Sequence, residues 1–211
     1  MSSPELPYSL MSELGKVQGN EHPPVHLWHP DVERDLDLVI SRDGVWNYLG
    51  SPIKRPRLVR LFASVLRRDG DDYYLVTPVE KCRITVEDVP FQVVLMNVTG
   101  EGISACLQVT TDMGEVIPVD DEHPLRIIQD GAQWIPYVVI RDGMEARLNR
   151  NVYYQLADLM IPGKHLTLDG EWLGVWSHEN FFPMLQFEPR LLIDRKTSEG
   201  SAENHQGAAG E

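Results

Sequence analysis

The apolar positions along this chain change period several times, and each change marks an element. Over residues 36–40 they alternate or run together, and after Arg42-Asp43-Gly44 the alternation resumes through Val45-Trp46-Asn47-Tyr48-Leu49. That pattern predicts a β-hairpin whose Asp-Gly turn relies on glycine for a positive φ. From Ser51 to Arg68 the period becomes helical: Leu58, Phe62, Val65 and Leu66 recur on one face, while Arg57, Arg60, Ser64 and Arg67 fill the other. Pro56 suits a first helical turn, where its missing N–H has no intrahelical partner to lose, so an amphipathic helix is predicted to start near Arg55. Residues 73–77, 83–86 and 91–96 return to strand patterning, and short apolar runs broken by Gly100-Glu101-Gly102, Asp112-Met113-Gly114 and residues 120–124 continue it to Ile140. A further strand is predicted at 134–140. A second helix is predicted over 151–160, with Val152, Leu156, Leu159 and Met160 inward, and a strand over 172–176 after the Asp169-Gly170 turn.

The order strand, Arg-Asp-Gly, strand, helix, Asp-Gly, strand occurs twice. Asp43 and Asp142 lie 99 positions apart, Asp69 and Asp169 lie 100 apart, and Phe62-Ala63-Ser64-Val65-Leu66 aligns with Leu156-Ala157-Asp158-Leu159-Met160 at an offset of 94. Three landmarks at nearly one period predict a duplicated α+β unit of antiparallel strands plus one helix. The expected organisation is a flexible segment over 1–22, an N-terminal α+β domain over 23–82, a β-rich C-terminal domain with one helix over 83–193, and a disordered Ser/Gly/Glu/Ala tail over 194–211. The cleft between two such units is a default ligand site.

Composition narrows the function. A hydrophobic content of 42% in 211 residues is ample for a packed core, and a net charge of −13 argues against a phosphate-backbone binder, which needs a broad basic surface. No nucleic-acid partner is expected. Six of the nineteen Lys and Arg residues nevertheless fall between Lys54 and Arg68. Lys54, Arg55 and Arg57 crowd the end of the predicted helix where the dipole is already positive, an arrangement a bound anion would relieve. The chain shows neither a signal-peptide pattern nor an apolar run of membrane-spanning length, so a soluble, cytoplasmic protein with no membrane partner is expected. Cys82 and Cys106 are too few and too far apart for a disulfide framework or a zinc site, and His26-x-x-His29 has no third ligand nearby. No metal site and no cofactor are expected.

Catalytic signatures are missing: the sequence has no nucleophile elbow, Walker loop, dinucleotide fingerprint or H-E-x-x-H. No catalytic residue is assigned. Glu80, Glu87 and Asp88 are carboxylates beside a turn, and a hydrolase using Glu80 or Asp88 is an alternative reading. Arg55, Arg57, Arg126, Arg141 and Arg150 stand at predicted strand ends or helix starts, where phosphate and carboxylate clamps are built.

Pro52-Ile53 with Arg55, residues 58–63, 74–81 and 84–91, the Pro23-Pro24-Val25 lead with Trp28 and Pro30, and the segment 137–150 resemble a bacterial family of unknown function, DUF1285. The resemblance spans about residues 23–190. It implies two similar α+β motifs, the C-terminal one a meander or half-barrel superficially like a pleckstrin-homology fold, with a nucleotide-like ligand at the domain interface and a role in signal transduction. The resulting expectation is a binding protein for a small anionic ligand, a nucleotide among the candidates. Arg55, Arg141 and Arg150 are the anion contacts, Thr77 and Glu80 the hydrogen-bonding groups, and Trp46 the base-stacking surface. A protein partner docking on the basic face of the first helix is the remaining alternative.

Overall fold

The computed structural model describes residues 12, 15, 23–131, 133–165 and 168–187. The tail expected over 194–211, and the flexible segment expected over 1–22 apart from Ser12 and Gly15, lie outside the described residues.

The first hairpin forms as its alternation predicts. Strand β1 (Val32–Ile40) pairs with β2 (Trp46–Tyr48), Ile40 opposite Trp46, and Gly44 takes φ +82° in the turn. A two-residue strand β3 (Ser51–Pro52) lies outside β2. Helix α1 (Pro56–Ser64) carries Pro56 in its first turn, buries Phe62 and Ala63 and half-buries Leu58, Val59 and Leu61.

The helix is shorter than its periodicity predicts. Leu66, Arg67, Arg68 and Asp69 form strand β4 (Leu66–Asp69), antiparallel to β5 (Asp72–Val76) across a Gly70 turn at φ +63°. The strand buries Leu66 against the sheet, and Tyr73, Tyr74 and Leu75 supply the β-prone partner. Strand β6 (Glu80–Val86) follows, and the sheet order is β3-β2-β1-β6-β5-β4 with β1 and β6 parallel. The boundary expected between 82 and 83 therefore falls inside β6, and the chain changes sheets between Val86 and Phe91.

The second sheet contains β7 (Phe91–Thr99), β8 (Cys106–Thr111), β9 (Val116–Pro118), β10 (Leu125–Asp130), β11 (Gln133–Arg141) and β12 (Met144–Leu148), in the order β10-β11-β12-β7-β8-β9. It joins two three-stranded meanders through a parallel β7·β12 pair. Both sheets are thus mixed, where the patterning predicts antiparallel strands alone, because alternation reports which face is buried and carries no strand direction. Helix α2 (Arg150–Asp158) is capped by the Asn149 side chain, which accepts the Val152 N–H at 2.9 Å, and leads to a separate sheet of β13 (Ile161–Gly163), β14 (Glu171–Ser177) and β15 (Asn180–Phe187).

The layout is duplicated, as the spacing predicts. Both helices have nine residues, and their bounds stand at the single offset of 94. The copies close differently. β1 is flanked by β2 and β6, whereas β11 is flanked by β12 and β10, so β10 occupies the edge that β6 takes in the first copy and β15 goes to a sheet of its own. The β10–β11 hairpin needs only the short turn at Gly131 (φ +60°), while a parallel return from β15 needs a long crossover. One apolar core runs through both units, from Leu38, Ile40 and Phe62 to Phe91, Val138 and Leu156.

Candidate ligand site at the junction of the two units

The residues singled out in the sequence do not meet at one place. Arg55 is the N-cap of α1, exposed, and its side chain caps no N–H. Arg141, the last residue of β11, reaches the other end of that nine-residue helix, about 13 Å away at 1.5 Å per residue. There its Nη2 donates to the Ala63 carbonyl at 2.7 Å, its Nη1 pairs with Glu115, and its guanidinium lies 4.9 Å from the centre of the Phe91 ring. Arg141 is a bridge between the units, closing the C-terminus of α1 with positive charge. Arg150 opens α2, exposed, with its Nε on the Tyr154 hydroxyl at 3.1 Å. Trp46 is core: it stacks on Phe62 with centroids 6.3 Å apart, and its buried indole N–H has no hydrogen-bond partner.

Thr77 and Glu80 are together. The Thr77 hydroxyl accepts the Glu80 N–H and donates to the Glu80 carbonyl, both at 3.1 Å, which closes the turn into β6. The Glu80 side chain is 2% exposed; Arg34 Nη2 approaches its Oε2 to 3.0 Å, yet neither oxygen receives a well-directed hydrogen bond. This carboxylate and burial together push the thiol of neighbouring Cys82 up to about 11, burial being the larger cause. Glu80 opens the seven-residue β6 and Asp88 lies two residues beyond its end, a strand about 20 Å long at ~3.3 Å per residue standing between them, so they cannot act as an acid–base pair.

The residues that do assemble are a row across the second sheet. Strand register places Arg126 of β10 opposite Tyr137 of β11, and Tyr137 opposite Arg147 of β12. Arg126 forks onto both oxygens of the buried Glu145 and lies 5.0 Å from the Tyr137 ring centre. The Tyr137 hydroxyl donates to Asp88, 3.0 and 3.1 Å from its two oxygens, and Arg147 Nη1 reaches the same carboxylate at 3.2 Å. Burial, and then the Asp88 carboxylate, push the phenol up to about 12. Val89 and Ile135 join Tyr137 in a small apolar cluster separate from the main core.

Asp88 and Val89 belong to the connection between the sheets, and the first unit reaches the row from its β4–β5 hairpin. Arg68 donates from Nη1 to the Gly143 carbonyl at 2.9 Å and lies 5.7 Å from the Tyr73 ring centre. Tyr73 is buried close enough to Glu145 and Asp88 to feel both charges, and its phenol is raised, chiefly by burial. Arg68, Arg126 and Arg147 are therefore linked through two tyrosines and two carboxylates. Arg68 is largely committed, to the Gly70 and Gly143 carbonyls and Asp71, whereas Arg147 gives one of about five N–H groups to Asp88 and Arg126 gives two to Glu145, so these two keep donors to spare. Sequence reading had Arg126 and Asp88 in view and missed Tyr137, Glu145, Arg147, Arg68 and Tyr73. The spacing Tyr137-x-Val139 against Glu145-x-Arg147 held the signal, but reading it required the β11–β12 register.

Among the described residues no group of three or more His, Cys, Asp or Glu could hold a metal ion, and no helix is long and apolar enough to cross a membrane. No curated protein matches the chain. The family described as domain of unknown function (DUF1285), N-terminal domain, matches residues 23–89, and its C-terminal domain matches residues 90–184. The break between the matches falls in the connection that carries Asp88. A crystal structure of a DUF1285 family protein from Silicibacter pomeroyi DSS-3 is 40% identical and superposes with a TM-score of 0.76, covering 87% of this chain and 97% of that one. Another DUF1285 family protein, from Shewanella baltica OS155, is 29% identical over 58% of this chain and 91% of its own, with a TM-score of 0.46. With both domain descriptions matched in order along one duplicated α+β fold, the chain belongs to the DUF1285 family.

Proposed function

We propose that this protein binds a small phosphate- or carboxylate-bearing molecule, a nucleotide among the candidates, at the junction of its two units. The observation that carries the reading is the Arg126-Tyr137-Arg147 row, extended across the junction by Arg68 and Tyr73. Guanidiniums with unspent donors suit a multi-oxygen anion. A ligand held between the units couples binding to their relative placement, which is how a signalling role would follow. Calorimetric titration with nucleoside mono- and diphosphates tests it. Arg147→Ala and Arg126→Ala should weaken binding at least about tenfold, Tyr137→Phe less, and Arg55→Ala not at all. No binding, or binding indifferent to Arg126 and Arg147 in variants that keep the native melting transition, refutes the site.

A second reading rests on the start of α1, where Lys54, Arg55, Arg57 and Arg60 are exposed and face no acidic partner among the described residues. An acidic protein docking there would be released by salt. Capture of one defined partner that Arg57→Glu abolishes, with no small-molecule binding, favours it.

A further inference from the structure

The Arg126-Tyr137-Arg147 row already holds two anions, and both belong to this chain. Glu145 meets the fork of Arg126 with both oxygens from within β12, where the residue is 9% exposed. Asp88 is held differently. It lies on the connection between β6 and β7, its side chain is 17% exposed, and it receives one hydroxyl, from Tyr137, and one N–H, from Arg147 at 3.2 Å. A two-bond fork is the stronger arrangement, so Asp88 is the carboxylate that can exchange.

Charge balance points the same way. With Asp88 and Glu145 in place, the two guanidiniums of the row are matched by two carboxylates. In a chain of net charge −13, an incoming anion gains little from Arg147 until Asp88 moves aside. Burial, the larger cause of the raised Tyr137 phenol, persists when Asp88 leaves, so the hydroxyl remains a donor for its replacement. The exchange would take place where the units join. Glu87 is tied to the first unit, its N–H on the Ile40 carbonyl at 3.0 Å and its carboxylate on the Arg42 N–H at 2.9 Å, while Val89 packs with Ile135 and Tyr137 in the second.

We propose that Tyr137 and Arg147 form an oxyanion seat and that Asp88 is its resident occupant, an internal competitor displaced by the phosphate or carboxylate of a ligand. Resting on the anion reading of the junction, it adds a regulation of that site: Asp88 pins the connection without ligand, and ligand binding releases it.

Two probes test the seat and the displacement separately. Formate, a bare carboxylate, should refill the seat in Asp88→Ala. About 100 mM sodium formate, compared with sodium chloride at equal ionic strength, should raise the melting temperature of that variant by about 3–6 °C, for a Kd on the order of 10 mM. The wild type, and Asp88→Ala combined with Arg147→Ala, should not respond. In calorimetry, ADP should bind Asp88→Ala at least about tenfold more tightly than the wild type, and Asp88→Asn should move in the same direction. Because Asp88→Asn keeps the side-chain shape, it carries the test if the alanine variant fails to fold. Glu87→Gln removes the same charge one residue away and should change ADP affinity less than about twofold, which separates displacement from a general loss of repulsion. ADP bound alike by the wild type and both Asp88 variants overturns the proposal alone, as does a formate effect that is absent from Asp88→Ala or survives loss of Arg147. No ADP binding by any of the three overturns it together with the reading on which it rests.

Discussion

Replacing Arg141 by alanine tests whether that side chain is a bridge or an open anion contact. Its surroundings set the size of the effect. Arg141 and Glu115 are each about one-fifth exposed in their side chains, so both are largely out of water. The truncation removes a charge-assisted hydrogen bond at 2.7 Å to the Ala63 carbonyl, a contribution of about 1.5–3 kcal/mol. It also removes positive charge from the C-terminus of α1 and a guanidinium from the Phe91 face, each about 0.5–1 kcal/mol, and strands the Glu115 carboxylate. These overlap, so the expected loss is about 3 kcal/mol rather than their sum. Urea unfolding followed by circular dichroism, at a slope of about 2–3 kcal/mol/M, then moves its midpoint down by about 1 M. Glu115→Gln should lose less by itself, and the double variant should show at least about 1 kcal/mol of coupling. A loss below about 0.5 kcal/mol, with no coupling to Glu115, refutes the bridging role and returns Arg141 to the candidates for ligand contact.

Two further expectations follow from local features. Burial, opposed by N–H groups that include that of Gln92 at 3.1 Å, holds the Asp112 carboxyl up at about 6, above the usual carboxylate range. Its stabilising contribution is full below about pH 4 and is lost as pH rises through about 6, so Asp112→Asn should raise the stability at pH 8 by about 2 kcal/mol once partial solvent screening is allowed for, leave it unchanged near pH 4, and flatten the profile in melting scans across that window. The two helix starts offer a contrast: Asn149→Ala removes a cap and should cost about 1 kcal/mol in chemical denaturation, while Arg55→Asp supplies one to α1 and should gain a similar amount.

Much of the architecture was legible in the chain. The Asp43-Gly44 and Asp142-Gly143 turns, the two inward helix faces and the repeat all follow from local pattern, and both helices keep the offset of 94 that Phe62 and Leu156 gave. The candidate site was legible only in fragments. Arg126 and Asp88 carry no local mark that separates them from the other arginines and acids, because what makes them notable is a shared neighbour, Tyr137, reached across strands and across the connection between sheets. Arg141 misleads for the same reason in reverse. It stands at a strand end, as a clamp residue would, but the carbonyl it satisfies belongs to a helix 78 residues earlier in the chain.

What the sequence alone determined is therefore periodic and local: where strands and helices form, which face of each is apolar, which turns need glycine, and that the layout is used twice. Hydrophobic period, β-propensity and turn chemistry act within a few residues, so they survive without tertiary context. Tertiary structure decided the rest. It cut α1 short in favour of the β4–β5 ladder, set parallel pairs at the centre of both sheets, sent β15 to a sheet of its own, and spent Arg141 on a helix end while gathering Arg68, Arg126 and Arg147 around two tyrosines. Each of those outcomes depends on which backbone groups find partners across long sequence separations, and no local pattern carries that information.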